Sequence, residues 1–231
     1  MLVSGIEIEV VKKRIKNMHL YVFPPNGRVR ATVPLFTSDI SVQTFVISKI
    51  DWIRKQIKVF ENRPKQSDFK FVSGENHYLW GREYSLEVRY VKRNVNAMIT
   101  DNKIILNVRE TSPPAIRQKV INEFYRSELK SKLPALFEKW GKTIGVKIDA
   151  FGIKNMRTRW GTCNIKSKKV WINLQLAKKP VYCLEYIVIH ELVHLIQKNH
   201  GSAFKKQMDF YLPKWREIKN ELNSIVFTVK N

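Results

Sequence analysis

Acidic residues are scarce in this chain: 20 Asp and Glu stand against 42 Lys and Arg, a formal net charge of +22. Such an excess favours an anionic partner, whether nucleic acid, a nucleotide or an acidic protein surface, although a solvated basic surface would look the same. The cations are spread along the chain, at Lys12-Lys13-Arg14, Lys166-Ser167-Lys168-Lys169 and Lys205-Lys206, rather than massed in one tail. Charge alone therefore names no function.

Cysteine is nearly absent. Cys163 and Cys183 form no CxxC pair and no disulfide framework, so both read as reduced thiols of a cytoplasmic protein. No apolar run approaches the roughly 20 residues of a membrane span. Met1 to Glu7 lacks the basic start, apolar middle and cleavage site of a secretory signal. No internal repeat and no low-complexity tract stands out. What remains is ordinary globular composition, 44% hydrophobic and 11% aromatic over 231 residues. That suffices for one large domain or two small ones without staples.

Short stretches rich in Val, Ile, Tyr and Phe fill residues 2–36, and Pro24-Pro25-Asn26-Gly27 predicts a hairpin with strands near 18–23 and 28–34. Thr37-Ser38-Asp39 offers caps before Ile40, Val42, Phe45, Val46, Ile50, Ile53 and Ile57, a spacing that predicts an amphipathic helix over about 39–61. Strands return between 68 and 108, with Tyr84, Leu86, Val88 and Tyr90 on one face and a turn at Asp101-Asn102. Ser112-Pro113-Pro114 opens a helix to about Leu133 or, kinked at Pro134, to Trp140. Short strands follow from about 147, with Val170, Ile172 and Leu174 on one face, then helices near 180–197, 201–212 and 215–225. A boundary near residue 111 separates a strand-rich domain with one long helix, 1–110, from a second domain, 111–231.

The string His190-Glu191-Leu192-Val193-His194 lies in an apolar segment without a helix breaker. On a helix, residues four apart share a face, with Cβ atoms about 5–6 Å apart, a span that suits two imidazoles on one tetrahedral zinc ion. Glu191 turns about 100° away from His190, so it is no ligand. It is placed instead to take a proton from a water at the open position. The chance expectation of this string in a chain of this composition is on the order of 0.01. A catalytic zinc takes three protein ligands, and the third falls to His200 or to an acid such as Asp209. His200 shares a helical stripe with Phe204, Gln207 and Tyr211. Asp209 lies about half a turn from it, which favours His200.

Arg157-Thr158-Arg159-Trp160-Gly161-Thr162-Cys163 forms a second candidate. As a strand it sends Arg157 and Arg159 to one face and Trp160 to the other, with Gly161 permitting close backbone approach. An edge strand beside a metal site binds an extended peptide by adding a strand. The same residues read equally as a core tryptophan with solvated arginines, or as a phosphate clamp. Tyr211 either stabilises an oxyanion or is a buried aromatic.

These residues are familiar together. Arg157-x-Arg159-Trp160-Gly161-Thr162-Cys163, Trp171-Ile172-Asn173-Leu174, Leu184 through His194, and Asn199-His200 with Phe204 resemble the YgjP-like family of zinc metallopeptidases. Lys16-Asn17-Met18, Ser73-Gly74-Glu75 and Leu79-Trp80-Gly81-Arg82 extend the likeness over the front half. The resemblance implies a minimal zincin-like catalytic domain with His190, His194 and His200 as ligands and Glu191 catalytic. His200-Gly201-x-x-Phe204 also resembles the third-ligand segment of SprT-type proteases, which act on proteins attached to DNA. Metzincins carry glycine where this chain has Gln197, which excludes that subclass.

The expected fold is α+β, a strand-rich N-terminal half followed by a helix-strand-helix catalytic domain. The expected activity is zinc-dependent hydrolysis of a peptide or protein substrate in the cytoplasm, away from membranes. Two alternatives stay open. The same site would hydrolyse a nucleotide phosphoanhydride, or a structural metal would sit in a nucleic-acid-associated protein.

Overall fold

A computed structural model describes residues 1–23, 27–61, 69–156 and 158–224. The chain divides into two compact units between Asp68 and Phe69. Among the described residues no helix is long and apolar enough to cross a membrane.

In the first unit, strands β1 (Leu2–Val3), β2 (Ile6–Lys13), β3 (His19–Phe23) and β4 (Arg28–Pro34) precede helices α1 (Asp39–Ile47) and α2 (Ile50–Glu61). The sheet runs β1-β2-β4-β3, with β2 and β4 parallel and the outer pairs antiparallel. Alternation along β4 buries Val29, Ala31 and Val33 against Val42, Val46 and Ile53 of the helices. The Pro24–Asn26 part of the expected hairpin turn lies outside the described residues. The helix expected over 39–61 breaks at Ser48 and Lys49. There Thr44 Oγ1 donates to the carbonyl of Ile40 and Ser48 Oγ to that of Phe45, side-chain bonds that compete with the helical ladder.

The second unit opens with β5 (Asn76–Leu79), β6 (Arg82–Tyr90), β7 (Asn96–Thr100) and β8 (Lys103–Val108), followed by α3 (Pro114–Ile144). Its sheet order is β5-β6-β8-β7, again with the central pair parallel and the outer pairs antiparallel. The two sheets correspond in register. Ile8 pairs Val29 as Leu86 pairs Ile104, and Leu20 pairs Ala31 as Ala97 pairs Leu106. Buried Val29, Ala31 and Val33 find their counterparts in buried Ile104, Leu106 and Val108. A four-stranded sheet with a following helix thus occurs twice, a repeat the residue pattern hides because only inward positions keep their character.

Residue 111, the expected boundary, lies inside this second unit between β8 and α3. Strands β5, β6 and β8 share one core with α3 and the helices that follow. Of the β6 face, Tyr84 and Leu86 are buried, while Tyr90 is exposed at the strand end. Pro134 neither ends nor divides α3. The buried stripe Leu129, Leu133, Phe137, Gly141 and Ile144 continues past it. Lys139 Nζ and Trp140 Nε1 both donate to Glu185 at 2.8 Å, tying the later turns to the next helix. Gly145, at φ +77, closes α3 in the left-handed conformation.

A second sheet of β9 (Ala150–Lys154), β10 (Gly161–Asn164) and β11 (Lys169–Asn173) follows, ordered β10-β11-β9 with β10 at an edge. A 3-10 turn, Leu174–Lys178, leads to α4 (Val181–Val193), α5 (Ser202–Tyr211) and α6 (Trp215–Ser224). Val170, Ile172 and Leu174 are buried. The β5–β6 turn fixes the approach to α4. Trp80 N–H donates to Ala177 O at 2.8 Å, Trp80 Nε1 donates to Glu128, and Gly81 has φ +82. A Cβ on Gly81 would stand 2.7 Å from Pro180 Cγ, so only glycine permits this docking.

Candidate metal centre

Helix α4 is apolar nearly all round, and Cys183, Leu184, Tyr186 to Ile189 and Glu191 to Val193 are buried. A helix so deeply set holds its few polar side chains in fixed directions. Val193 ends the helix, His194 caps it, and Leu195 to Gly201 carry the chain round to α5. That return brings His200 against the two histidines of α4. His200 Nε2 lies 3.0 Å from His190 Nε2 and 3.1 Å from His194 Nε2. Three ring nitrogens with no acid among them gain little from one another in hydrogen bonds. Nitrogens roughly 2.0–2.1 Å from a tetrahedral zinc would lie roughly 3.3 Å apart, so the set fits one such ion.

Protonation favours the same reading. Burial foremost, then the neighbouring histidines and Lys219 of α6, hold His190 down to about 3. Burial, His194 and Lys219 lower His200 as well. Both rings therefore keep lone pairs at neutral pH. His194 Nδ1 lies 3.1 Å from Gln197 O, and a proton on Nδ1 donated there leaves Nε2 free to ligate. His190 Nδ1 is buried without a hydrogen-bond partner among the described residues. Phe204, 1% exposed, sets its ring 4.7–5.0 Å from all three imidazoles and floors the cluster. The sequence reading placed Phe204 on the His200 stripe without seeing this role; a stripe shows which residues share a face, not what the face meets.

Glu191, 4% exposed, lies beside β10. Burial pushes its carboxyl up to about 8, with Arg159 opposing. A side chain at Gly161 would meet Ile187 Cγ2 at 2.8 Å as well as the Glu191 carboxylate. Close backbone approach at Gly161 thus serves Glu191.

Thr158 to Trp160 bend rather than form the expected strand, since β10 begins only at Gly161. Buried Asn173 is the reason. Its Oδ1 accepts from Met156 N and Gln175 N, and its Nδ2 donates to Met156 O and Arg159 O at 2.9 and 2.7 Å. The amide takes up the backbone groups a longer strand would have paired, and Asn173 N donates to Trp160 O. In the sequence Asn173 stands out only as part of Trp171-Ile172-Asn173-Leu174, because bonds spanning 14 and 17 residues leave no local trace. Arg159 is exposed, Trp160 is partly buried against the core, and Arg157 lies outside the described residues. Tyr211 packs on the core with its ring 5.1 Å from Phe210. Asp209, the rival third ligand, is engaged by Trp215 Nε1 and Arg216. Cys163 and Cys183 are free thiols.

A family model described as YgjP-like, metallopeptidase domain, matches residues 16–225. Two solved structures are similar. The metallopeptidase zymogen abylysin of Pyrococcus abyssi is 20% identical, covering 38% of this chain and 90% of that one, with a TM-score of 0.36. The metallopeptidase zymogen jannalysin of Methanocaldococcus jannaschii is 22% identical, covering 40% and 94%, with a TM-score of 0.36. No curated protein matches the chain.

Proposed function

We propose that this chain, which belongs to the YgjP-like metallopeptidase family, hydrolyses peptide bonds with zinc held by His190, His194 and His200 and with Glu191 as general base. One observation carries the reading: His200 Nε2 lies 3.0 and 3.1 Å from the Nε2 atoms of His190 and His194, at the end of the helix that also bears the buried Glu191. A bound zinc would supply an acidified water and a Lewis-acid pull on the scissile carbonyl.

The chain's own residues do the rest. Glu191 takes the proton released in the attack and returns it to the leaving nitrogen. Burial holds its carboxyl up at about 8; a bound cation would lower it, toward the range in which a group both accepts and donates protons well. An extended substrate would pair with the outer edge of β10, and Gly161 would bring its backbone close to Glu191. Arg159 and Lys219 act electrostatically on Glu191 and on His190 and His200, which favours substrates with an anionic group near the cleaved bond. That observation also keeps a nucleotide phosphoanhydride in view as a second substrate class.

The test offers zinc-loaded protein a degenerate peptide library and a nucleotide panel, with Glu191→Gln as control. Peptide cleavage should fall about a thousandfold in the variant at unchanged zinc content. Equal cleavage by both proteins excludes Glu191 as the base, and cleavage of nucleotides alone selects the second class.

A further inference from the structure

We infer that the outward face of the first unit's sheet binds single-stranded nucleic acid, with bases stacking on the row formed by His19, Tyr21 and Phe23. Strand β3 is an edge strand. Leu20 and Val22 pack against the core, so alternation turns His19, Tyr21 and Phe23 to the opposite face. There the rings form a continuous row, with centroids 6.3 Å apart from His19 to Tyr21 and 6.0 Å apart from Tyr21 to Phe23. Tyr21 is 46% exposed and His19 is exposed. On the paired strand β4, the Arg30 and Arg28 guanidiniums lie 5.2 and 5.7 Å from the Phe23 ring centre.

Charge complements the rings. Exposed Lys13, Arg14 and Lys16 carry the chain from the end of β2 toward His19, and Arg28 lies across from Phe23. Cations thus flank both ends of the aromatic row. Glu7 and Glu9 are the acids of this face. Glu9 is engaged in a two-pronged pair with Arg30 at 2.9 and 3.0 Å and lies 3.7 Å from Arg28, which orders the guanidinium planes beside the rings. Aromatic faces that accept any base, beside cations that track a backbone, make up the chemistry of single-strand binding.

The repeated sheet supplies an internal control. Tyr21 pairs Arg30 in β4 as Met98 pairs Ile105 in β8. The β7 positions that match His19, Tyr21 and Phe23 are Asn96, Met98 and Thr100. The same strand in the same topology therefore forms without rings there, so the fold does not require them in β3.

The experiment follows the fluorescence anisotropy of a labelled oligothymidylate of about twelve nucleotides, titrated with the full chain at several salt concentrations. Affinity should fall with salt, and a duplex of equal length should bind more weakly. Tyr21→Ala should weaken single-strand binding by about fivefold or more, Tyr21→Phe should restore it, and Glu191→Gln should leave it unchanged. Exposed Tyr21 is not part of the buried core, so circular dichroism of the variants should match the parent. Absence of binding at low salt would overturn the inference. Equal affinity of parent and Tyr21→Ala/Phe23→Ala would also overturn it, since charge alone would then explain any binding.

Discussion

Gly161 stands where any side chain would collide with Glu191: a Cβ there would lie 2.6 Å from Glu191 Oε1 and 2.9 Å from its Cγ. The edge strand and the carboxylate therefore share one volume, and the absence of a methyl group decides where that carboxylate sits.

Gly161→Ala should displace Glu191 without touching the histidines. A shift of about 1 Å in a catalytic group costs on the order of a hundredfold in rate. Steady-state kinetics should show kcat down by about that factor with one zinc retained per chain. Loss of zinc instead would mean that the strand supports the metal cluster rather than the base.

Asn173→Ala should loosen the backbone at Met156 and at Arg159–Trp160. Removing the amide leaves the N–H groups of Met156 and Gln175 and the carbonyls of Met156 and Arg159 without their partner. Chemical denaturation should register a loss of about 2–4 kcal/mol, and peptide cleavage should fall with it. Asn173→Asp should be worse, since an ionised carboxylate would face two carbonyl oxygens with no proton to give.

Acid sensitivity should trace in part to His77, which is 5% exposed and packs against the rings of Phe69 and Phe71. Burial foremost, then Lys178, lowers it from 6.5 to about 4, with Glu75 opposing. Below pH 6.5 the unfolded chain binds a proton there that the folded chain refuses until pH nears 4. Stability present above 6.5 is therefore lost as pH falls through that interval, by up to about 3 kcal/mol. Thermal unfolding of His77→Phe should lose less stability than the parent over this range. Parallel pH profiles would contradict the assignment.

Much of the site was legible because its signals are local. His190 and His194 are one helical turn apart, so spacing paired them, and the helical stripe favoured His200 over Asp209 as their neighbour. The hairpin strands at His19–Phe23 and Arg28–Pro34 were legible for the same reason, from alternation beside turn residues. What stayed hidden depends on distant partners. Phe204 floors three rings from another helix, and Asn173 holds a bend 14–17 residues back in the chain. Pro134 left open whether the helix ends near Leu133, and it runs on past the proline with Phe137 and Ile144 buried, while Ser48 ended a helix that hydrophobic spacing alone would have continued. The repeated sheet leaves no trace in the residue pattern because the positions opposite the shared core face differ, Tyr21 against Met98 and Arg30 against buried Ile105.

X-ray absorption at the zinc edge, on protein loaded with one equivalent of the metal, tests the central claim most directly. Three imidazole nitrogens and one oxygen at about 2.0–2.1 Å are predicted, with one nitrogen lost in His200→Ala. A spectrum with fewer than three imidazoles, or one unchanged in that variant, would contradict the account.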